Sequence, residues 1–318
     1  MIAAPCENGR VPLNIVFAGS PAAAVPSLIR LAASAHRIVA VVTREDSPQG
    51  RRGILTPTAV ASAADELGLD LIKANRLAGS ATEAIQGLVP DLGVIVAYGG
   101  LVREPLLSAP RLGWINLHFS LLPRWRGAAP VQRAVIAGDD LTGASVFQLV
   151  PELDAGDLFG SFTQPIGAHE TAGHLLDSLA VSGSELLARV VDNLADGSAR
   201  AEPQSGDVTL APKLTLDDGR IDWSRDAVTI TNLIRGVTPE PGAFTSIDDL
   251  RVKVLEAHIA RDAPRLAPGT LALEGRRLLV GSATDPVELV TVHPAGRKAM
   301  AATDWWRGRP ADAGRVAK

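Results

Sequence analysis

The chain has 318 residues, of which 46% are hydrophobic, enough apolar matter for two cores, so two domains are the natural expectation. A formal net charge of −4 and a single cysteine, Cys6, exclude a wholesale polycation, an intramolecular disulfide and a cysteine-built metal cage. No apolar run approaches the roughly 18 residues of a membrane helix, and residues 1–13 carry Pro5, Glu7, Asn8 and Gly9 where a secretory signal would be apolar, so a cytoplasmic protein is expected.

Residues 1–12 read as a flexible N-terminus. Residues 14–17 form a strand, residues 18–21 a tight turn and the apolar-rich residues 22–33 a helix. Residues 38–42 supply the next strand, and residues 44–57, rich in Gly, Arg and Pro, a loop. Helices over 58–67 and 81–88 alternate with strands over 69–72 and 92–97. Strands at 114–117 and 144–149 and helices at 130–137 and 172–194 continue the alternation. This pattern predicts an α/β fold, a Rossmann-like, doubly wound, mostly parallel sheet over residues 13–197. Residues 198–212 lack periodicity, carry Pro203 and Gly206, and read as a linker. Residues 213–318 differ: one helix at 227–236 precedes short β-rich pieces at 251–255, 270–273, 278–280 and 287–292, which predicts a smaller antiparallel β-barrel of OB-like kind.

Residues 115–130, INLHFSLLPRWRGAAP, are the most informative stretch. Asn116 and His118 alternate on a strand and project from one side. Leu122-Pro123 ends the strand, and a loop over 124–127 follows, where α/β proteins build sites. His118 can serve as acid, base or cationic donor, and Asn116 offers an amide N–H to an oxygen that gains charge, so the pair suits an oxyanion site. A carboxylate is needed to steady the imidazolium. Residues 152–157, ELDAGD, offer one directly after a strand; Asp154, ahead of Ala155-Gly156, is the choice, and it would favour a charged His118. Charge is asymmetric: residues 213–318 carry 16 Lys and Arg against 14 Asp and Glu, and the excess sharpens from Arg297 onward, which suits phosphate contact.

Asn116-x-His118-x-Ser120-Leu121-Leu122-Pro123-x-x-Arg126-Gly127 together with Leu153-Asp154-x-Gly156 resembles the formyltransferases that use 10-formyltetrahydrofolate. Phe17 to Pro21 looks like that family's opening turn, Ala97-Tyr98-Gly99 its strand end before the catalytic strand, and residues 126–132 the start of its following helix. In the back third Lys213-Leu214, Ile221-Asp222-Trp223, Ile234-Arg235, residues 239–243 and residues 294–298 resemble the branch whose acceptor is initiator methionyl-tRNA. Two departures are small: Ser20 stands where the family commonly has Thr, and Phe119 where it often has Gly.

The resemblance implies a translation-initiation enzyme in which the methionine amino group attacks the formyl carbon carried on folate. Asn116 and protonated His118 would stabilise the oxyanion, while Asp154 orients His118 and helps move the proton. Tyr98, Ser120, Leu121, Leu122 and Pro123 would flank the folate, and no metal is required. Arg51, with Arg52 auxiliary, would enter the tRNA acceptor arm, and Arg297 and Lys298 in residues 213–318 would grip it; a monomer is expected, with no membrane contact. Two rival readings stand beside this one. The first is a folate-dependent formyltransferase acting on a small amine, glycinamide ribotide or an amino-sugar nucleotide, which would leave the matched C-terminal segments without purpose. The second is a non-enzymatic nucleotide-binding module, for which the turn at Gly19 lacks the required further glycines.

Overall fold

A computed structural model describes residues 11–50, 53–310 and 314–318. Most of the expected flexible N-terminus, Cys6 included, and the proposed tRNA contacts Arg51 and Arg52 lie outside the described residues. The chain divides into two compact units, the first made of residues up to Ala128, Thr142–Gln164 and Leu176–Leu210, the second of Ala129–Leu141, Pro165–Leu175 and Ala211–Lys318.

The first unit is built on a seven-stranded sheet. Its strands are β1 (Asn14–Gly19), β2 (Arg37–Thr43), β3 (Leu71–Lys73), β4 (Leu92–Val96), β5 (Trp114–His118), β6 (Leu141–Gln148) and β7 (Leu158–Pro165), in spatial order β7-β6-β5-β4-β1-β2-β3. From β3 to β5 every pairing is parallel, whereas β6 runs antiparallel to β5 with His118 opposite Ser145 and Asn116 opposite Phe147. The expected mostly parallel sheet is therefore present, with an antiparallel edge. β4 is buried throughout, as a parallel strand covered on both faces must be, which is why LGVIV is an unbroken apolar run. The helices that form the crossovers are α1 (Val25–Ala32), α2 (Ala59–Glu66) and α3 (Ser80–Gly87). Thr58 caps α2 by accepting the Ala61 N–H at 3.0 Å, which satisfies one of the donors a helix start leaves open.

Two segments differ from the expectation. Residues 44–57, read as a loop, contain a hairpin in which Ser47–Gln49 pairs antiparallel with Ile54–Thr56. β7 has no counterpart in the predicted strands: LFGSFTQP carries only partly buried and exposed residues, because it is the sheet's edge and half of it faces water.

The second unit contains α4 (Pro130–Ala137), α6 (Ala227–Gly236) and α7 (Ala302–Arg307); the 25-residue α5 (Ala172–Asp196) passes into the first unit from Leu176. Its curled sheet is antiparallel, with β8 (Ala243–Ile247), β9 (Leu250–Ile259), β10 (Leu271–Glu274), β11 (Arg277–Val280) and β12 (Val287–Pro294) in spatial order β8-β9-β12-β11-β10. The C-terminal residues bring the two edges together: Ser246 of β8 exchanges hydrogen bonds with Lys318, while Leu271 and Gly269 bond Arg315 and Ala317. This closure matches the antiparallel barrel expected for residues 213–318. Ile230, Ile234, Val252, Val254, Leu278, Val287 and Trp305 form its core, and the Trp223 indole N–H is satisfied by Thr245 Oγ1 at 3.0 Å. Among the described residues no helix is long and apolar enough to cross a membrane.

Candidate active site

β5 is the last of the parallel strands of the first unit, lying between β4 and the antiparallel β6. Alternation places Asn116 and His118 on one face of this strand, as expected. Asn116 is partly exposed, and its Oδ1 is buried with no hydrogen-bond partner among the described residues. An orphaned buried amide oxygen costs about 1–3 kcal/mol, and a native fold tolerates one where a ligand brings the partner.

His118 is 6% exposed and its ring meets Phe147 edge-on, with centroids 6.4 Å apart. Nε2 lies 2.8 Å from the carbonyl oxygen of Trp125, which can only accept, so Nε2 carries a proton and Nδ1 is the nitrogen free to change state. Nδ1 is 3.9 Å from Asp154 Oδ2. Burial pulls the proton affinity of His118 below the ordinary histidine value of 6.5, and the raising effects of the Asp154 charge and the Trp125 carbonyl only partly oppose it. Desolvation thus favours the neutral imidazole, against the effect of a carboxylate that stands beyond hydrogen-bonding distance.

Asp154 is held in place by what surrounds it. Its φ is +45°, a left-handed conformation that a non-glycine residue adopts at a cost of about 1–3 kcal/mol and keeps only when neighbours over-determine it. Oδ2 accepts the Gly127 N–H at 2.8 Å, and the Asp154 and Gly156 carbonyls each accept from Gln204 Nε2 at 2.8 Å. The loop returns tightly against β6: a Cβ on Gly156 would fall 1.8 Å from the Gln148 carbonyl oxygen, so only glycine fits there.

The other sequence-derived positions divide. Ser120 donates to the Arg124 carbonyl at 2.6 Å, while its own carbonyl accepts from Ser145 Oγ at 2.7 Å; Ser120, Leu122 and Pro123 are buried and Leu121 is partly exposed. These residues shape the loop next to His118, and the Ser120 hydroxyl is engaged within it. The Tyr98 side chain is 1% exposed, belongs to a core cluster and donates its hydroxyl proton to the Ala74 carbonyl at 2.6 Å, so it braces the end of β4. The turn it anchors has left-handed Ala97 and Gly99, and Arg44 clamps the carbonyls of Tyr98 and Gly99 at 3.2 and 2.6 Å.

Arg297 and Lys298 are exposed in a turn of the second unit, where Arg297 N–H bonds Pro294 O at 3.0 Å. Arg251 is their neighbour: its carbonyl accepts the Ala295 N–H at 2.9 Å, and its guanidinium lies 3.7 Å from the Phe244 ring centroid, with Arg220 over the same ring at 5.3 Å. Nε and Nη2 of Arg251 are buried without a partner among the described residues. Sequence reasoning missed Arg251 and Arg220, which stand in no motif, and it missed Gln204 and Thr209, polar residues of an aperiodic stretch whose importance is visible only as contacts.

Residues 13–191 match the Formyl transferase family and residues 213–310 match Formyl transferase, C-terminal domain. A methionyl-tRNA formyltransferase of Clavibacter sepedonicus is 58% identical over 93% of this chain and 97% of its own length, and one of Leifsonia xyli subsp. xyli is 58% identical over 95% and 99%. Among solved structures, an N-formyltransferase from Helicobacter canadensis in complex with folinic acid and dTDP-3-aminofucose shares the fold at a TM-score of 0.67 and 15% identity, covering 87% of this chain and 98% of that one. HypX from Aquifex aeolicus in complex with tetrahydrofolic acid does so at 0.59 and 16%, covering 93% and 47%. With both domains matched and full-length relatives above half identity, the chain belongs to the formyl transferase family, among the methionyl-tRNA formyltransferases.

Proposed function

We propose that this protein transfers the formyl group of 10-formyltetrahydrofolate to the amino group of methionine on initiator methionyl-tRNA. The observation that carries this reading is the meeting of Asn116, His118 and Asp154 at the end of β5, in a chain that aligns along nearly its whole length with methionyl-tRNA formyltransferases. The amine attacks the formyl carbon and the carbonyl becomes an oxyanion. The Asn116 amide N–H is the donor suited to that charge, and its unpaired Oδ1 suits an N–H of the incoming amine. Neutral His118 accepts the amine proton at Nδ1 as the new C–N bond forms, and Asp154 stabilises the resulting imidazolium. The imidazolium then returns the proton to the departing folate nitrogen as the adduct collapses, so no metal is called upon.

The exposed Arg297 and Lys298, together with Arg251 and Arg220 over the Phe244 ring, support phosphate contact with the tRNA by the second unit. Arg51 and Arg52 are the proposed partners of the acceptor arm. The test is a formylation assay with initiator methionyl-tRNA, elongator methionyl-tRNA and glycinamide ribotide offered separately. Formylation of the initiator species supports the assignment, and formylation of the ribotide alone overturns it.

A further inference from the structure

Residues 202–210, whose composition marks a linker, are tied to both halves of the candidate site. Glu202 exchanges two hydrogen bonds with Leu158 at the start of β7, at 2.8 and 2.9 Å, which anchors the segment to the sheet edge. Gln204 then uses its whole amide. Nε2 donates to the Asp154 and Gly156 carbonyls at 2.8 Å each, and Oε1 accepts from Arg126 Nε and Nη2 at 3.2 and 2.6 Å. Five residues on, Thr209 Oγ1 accepts the Trp125 N–H at 2.9 Å, and its carbonyl accepts the Arg126 N–H at 2.9 Å.

The two residues so held are the ones that define His118. Asp154 supplies the carboxylate facing Nδ1, and Trp125 supplies the carbonyl facing Nε2. Both have left-handed backbones, φ +45° and +62°, which residues with a Cβ adopt only when neighbouring groups impose them. We infer that Gln204 and Thr209 are positioning residues for formyl transfer: the strap between them sets the gap from Asp154 to His118 and aims the Trp125 carbonyl that orients the imidazole. The inference rests on the functional reading above for its kinetic consequence, and on the contacts alone for its effect on His118. Facing that ring are the Asp154 carboxylate, the Trp125 carbonyl and the edge-on Phe147, and Asp154 is the charged group that bears on it.

The test uses the full chain with Gln204→Met, Gln204→Glu, Thr209→Val and Thr209→Ser, and reads formylation kinetics, thermal midpoint and the His118 titration in free protein by NMR. Gln204→Glu keeps the acceptor for Arg126 and loses the donor for the two carbonyls, and Thr209→Ser keeps the hydroxyl. A displacement of about 1 Å at a reacting group costs on the order of a hundredfold. Gln204→Met, Gln204→Glu and Thr209→Val are therefore expected to lower kcat by roughly 10- to 100-fold with both KM values within about threefold. Because Asp154 and the Trp125 carbonyl both raise the proton affinity of His118, its titration moves to lower pH in Gln204→Met and Thr209→Val, which add no charge, and Thr209→Ser restores both readouts. Parent-like kcat and titration in folded Gln204→Met and Thr209→Val overturn the inference, as does a Thr209→Ser variant no better than Thr209→Val. A parent protein that ignores methionyl-tRNA overturns the functional reading instead, and the strap is then judged on the titration.

Discussion

Replacing Gly156 by alanine perturbs the site through one methyl group. The added Cβ would stand 1.8 Å from the Gln148 carbonyl oxygen, whereas real Cβ contacts essentially never fall below 3.0 Å, so the loop must retreat by about 1.2 Å or more. Backbone strain plays no part, since Gly156 is not among the glycines with positive φ. Asp154 is two residues away and its Oδ2 is 3.9 Å from His118 Nδ1, so a retreat of this size changes the gap by a substantial fraction. Overpacking of this kind costs about 1–3 kcal/mol of stability, and misplacing a reacting group by about 1 Å costs on the order of a hundredfold in rate. Gly156→Ala should therefore fold with a lower thermal midpoint and form formyl-methionyl-tRNA about a hundredfold more slowly, with KM values little changed. Gly87→Ala is the control: its Cβ meets nothing within 4 Å at the end of α3, so activity holds and stability is unchanged or rises by up to about 1 kcal/mol. A folded Gly156→Ala protein with parent kcat would refute the link from loop position to Asp154 and from Asp154 to catalysis.

Other outcomes follow from the same geometry. Asn116→Ala should lower kcat by roughly a hundred- to a thousandfold with the unfolding midpoint unchanged or raised, because the truncation removes an oxyanion donor together with an unsatisfied buried oxygen; parent-like rates would remove Asn116 from the mechanism. The acid limb of kcat/KM should lie below pH 6.5, since the reacting form is neutral His118 and burial lowers its affinity; a limb above 6.5 would mean that the Asp154 charge prevails. The linkage has a definite sign. Unfolded chains bind the His118 proton first, so stability is full above pH 6.5 and falls as pH drops from there toward the folded value; urea midpoints of the parent and His118→Gln should converge across that window. Arg251→Met keeps an apolar cover on Phe244 and removes the charge, so initiator tRNA affinity should fall and the slope of log K against log salt should lose about one unit. An unchanged slope would take Arg251 out of the RNA contact.

Much of this architecture was legible in the residues themselves. The helices at 130–137 and 227–236 coincide with their predicted spans, since Pro130 and Asp226 mark their starts. The alternation of Asn116 and His118 placed both on one face before any fold was known, because a strand's period is two. β7 was hidden: an edge strand half in water carries no apolar alternation. A strand-end tyrosine in a family motif looks like a ligand contact, and only the fold shows that the Tyr98 ring turns into the core toward Ala74. For His118, a carboxylate nearby in the chain suggests a charged imidazole, whereas the opposing effect of burial is a property of the assembled site.

Local patterning thus determined which segments became strands or helices and which residue types could meet at the end of β5, for these follow from periodicity and from side-chain chemistry. Only the tertiary structure decided the 3.9 Å gap between His118 and Asp154, the left-handed backbone that maintains it, and the use of Gln204 and Thr209 to hold the loops. Those depend on contacts between residues up to 84 positions apart, such as Trp125 and Thr209, which no short window of sequence contains.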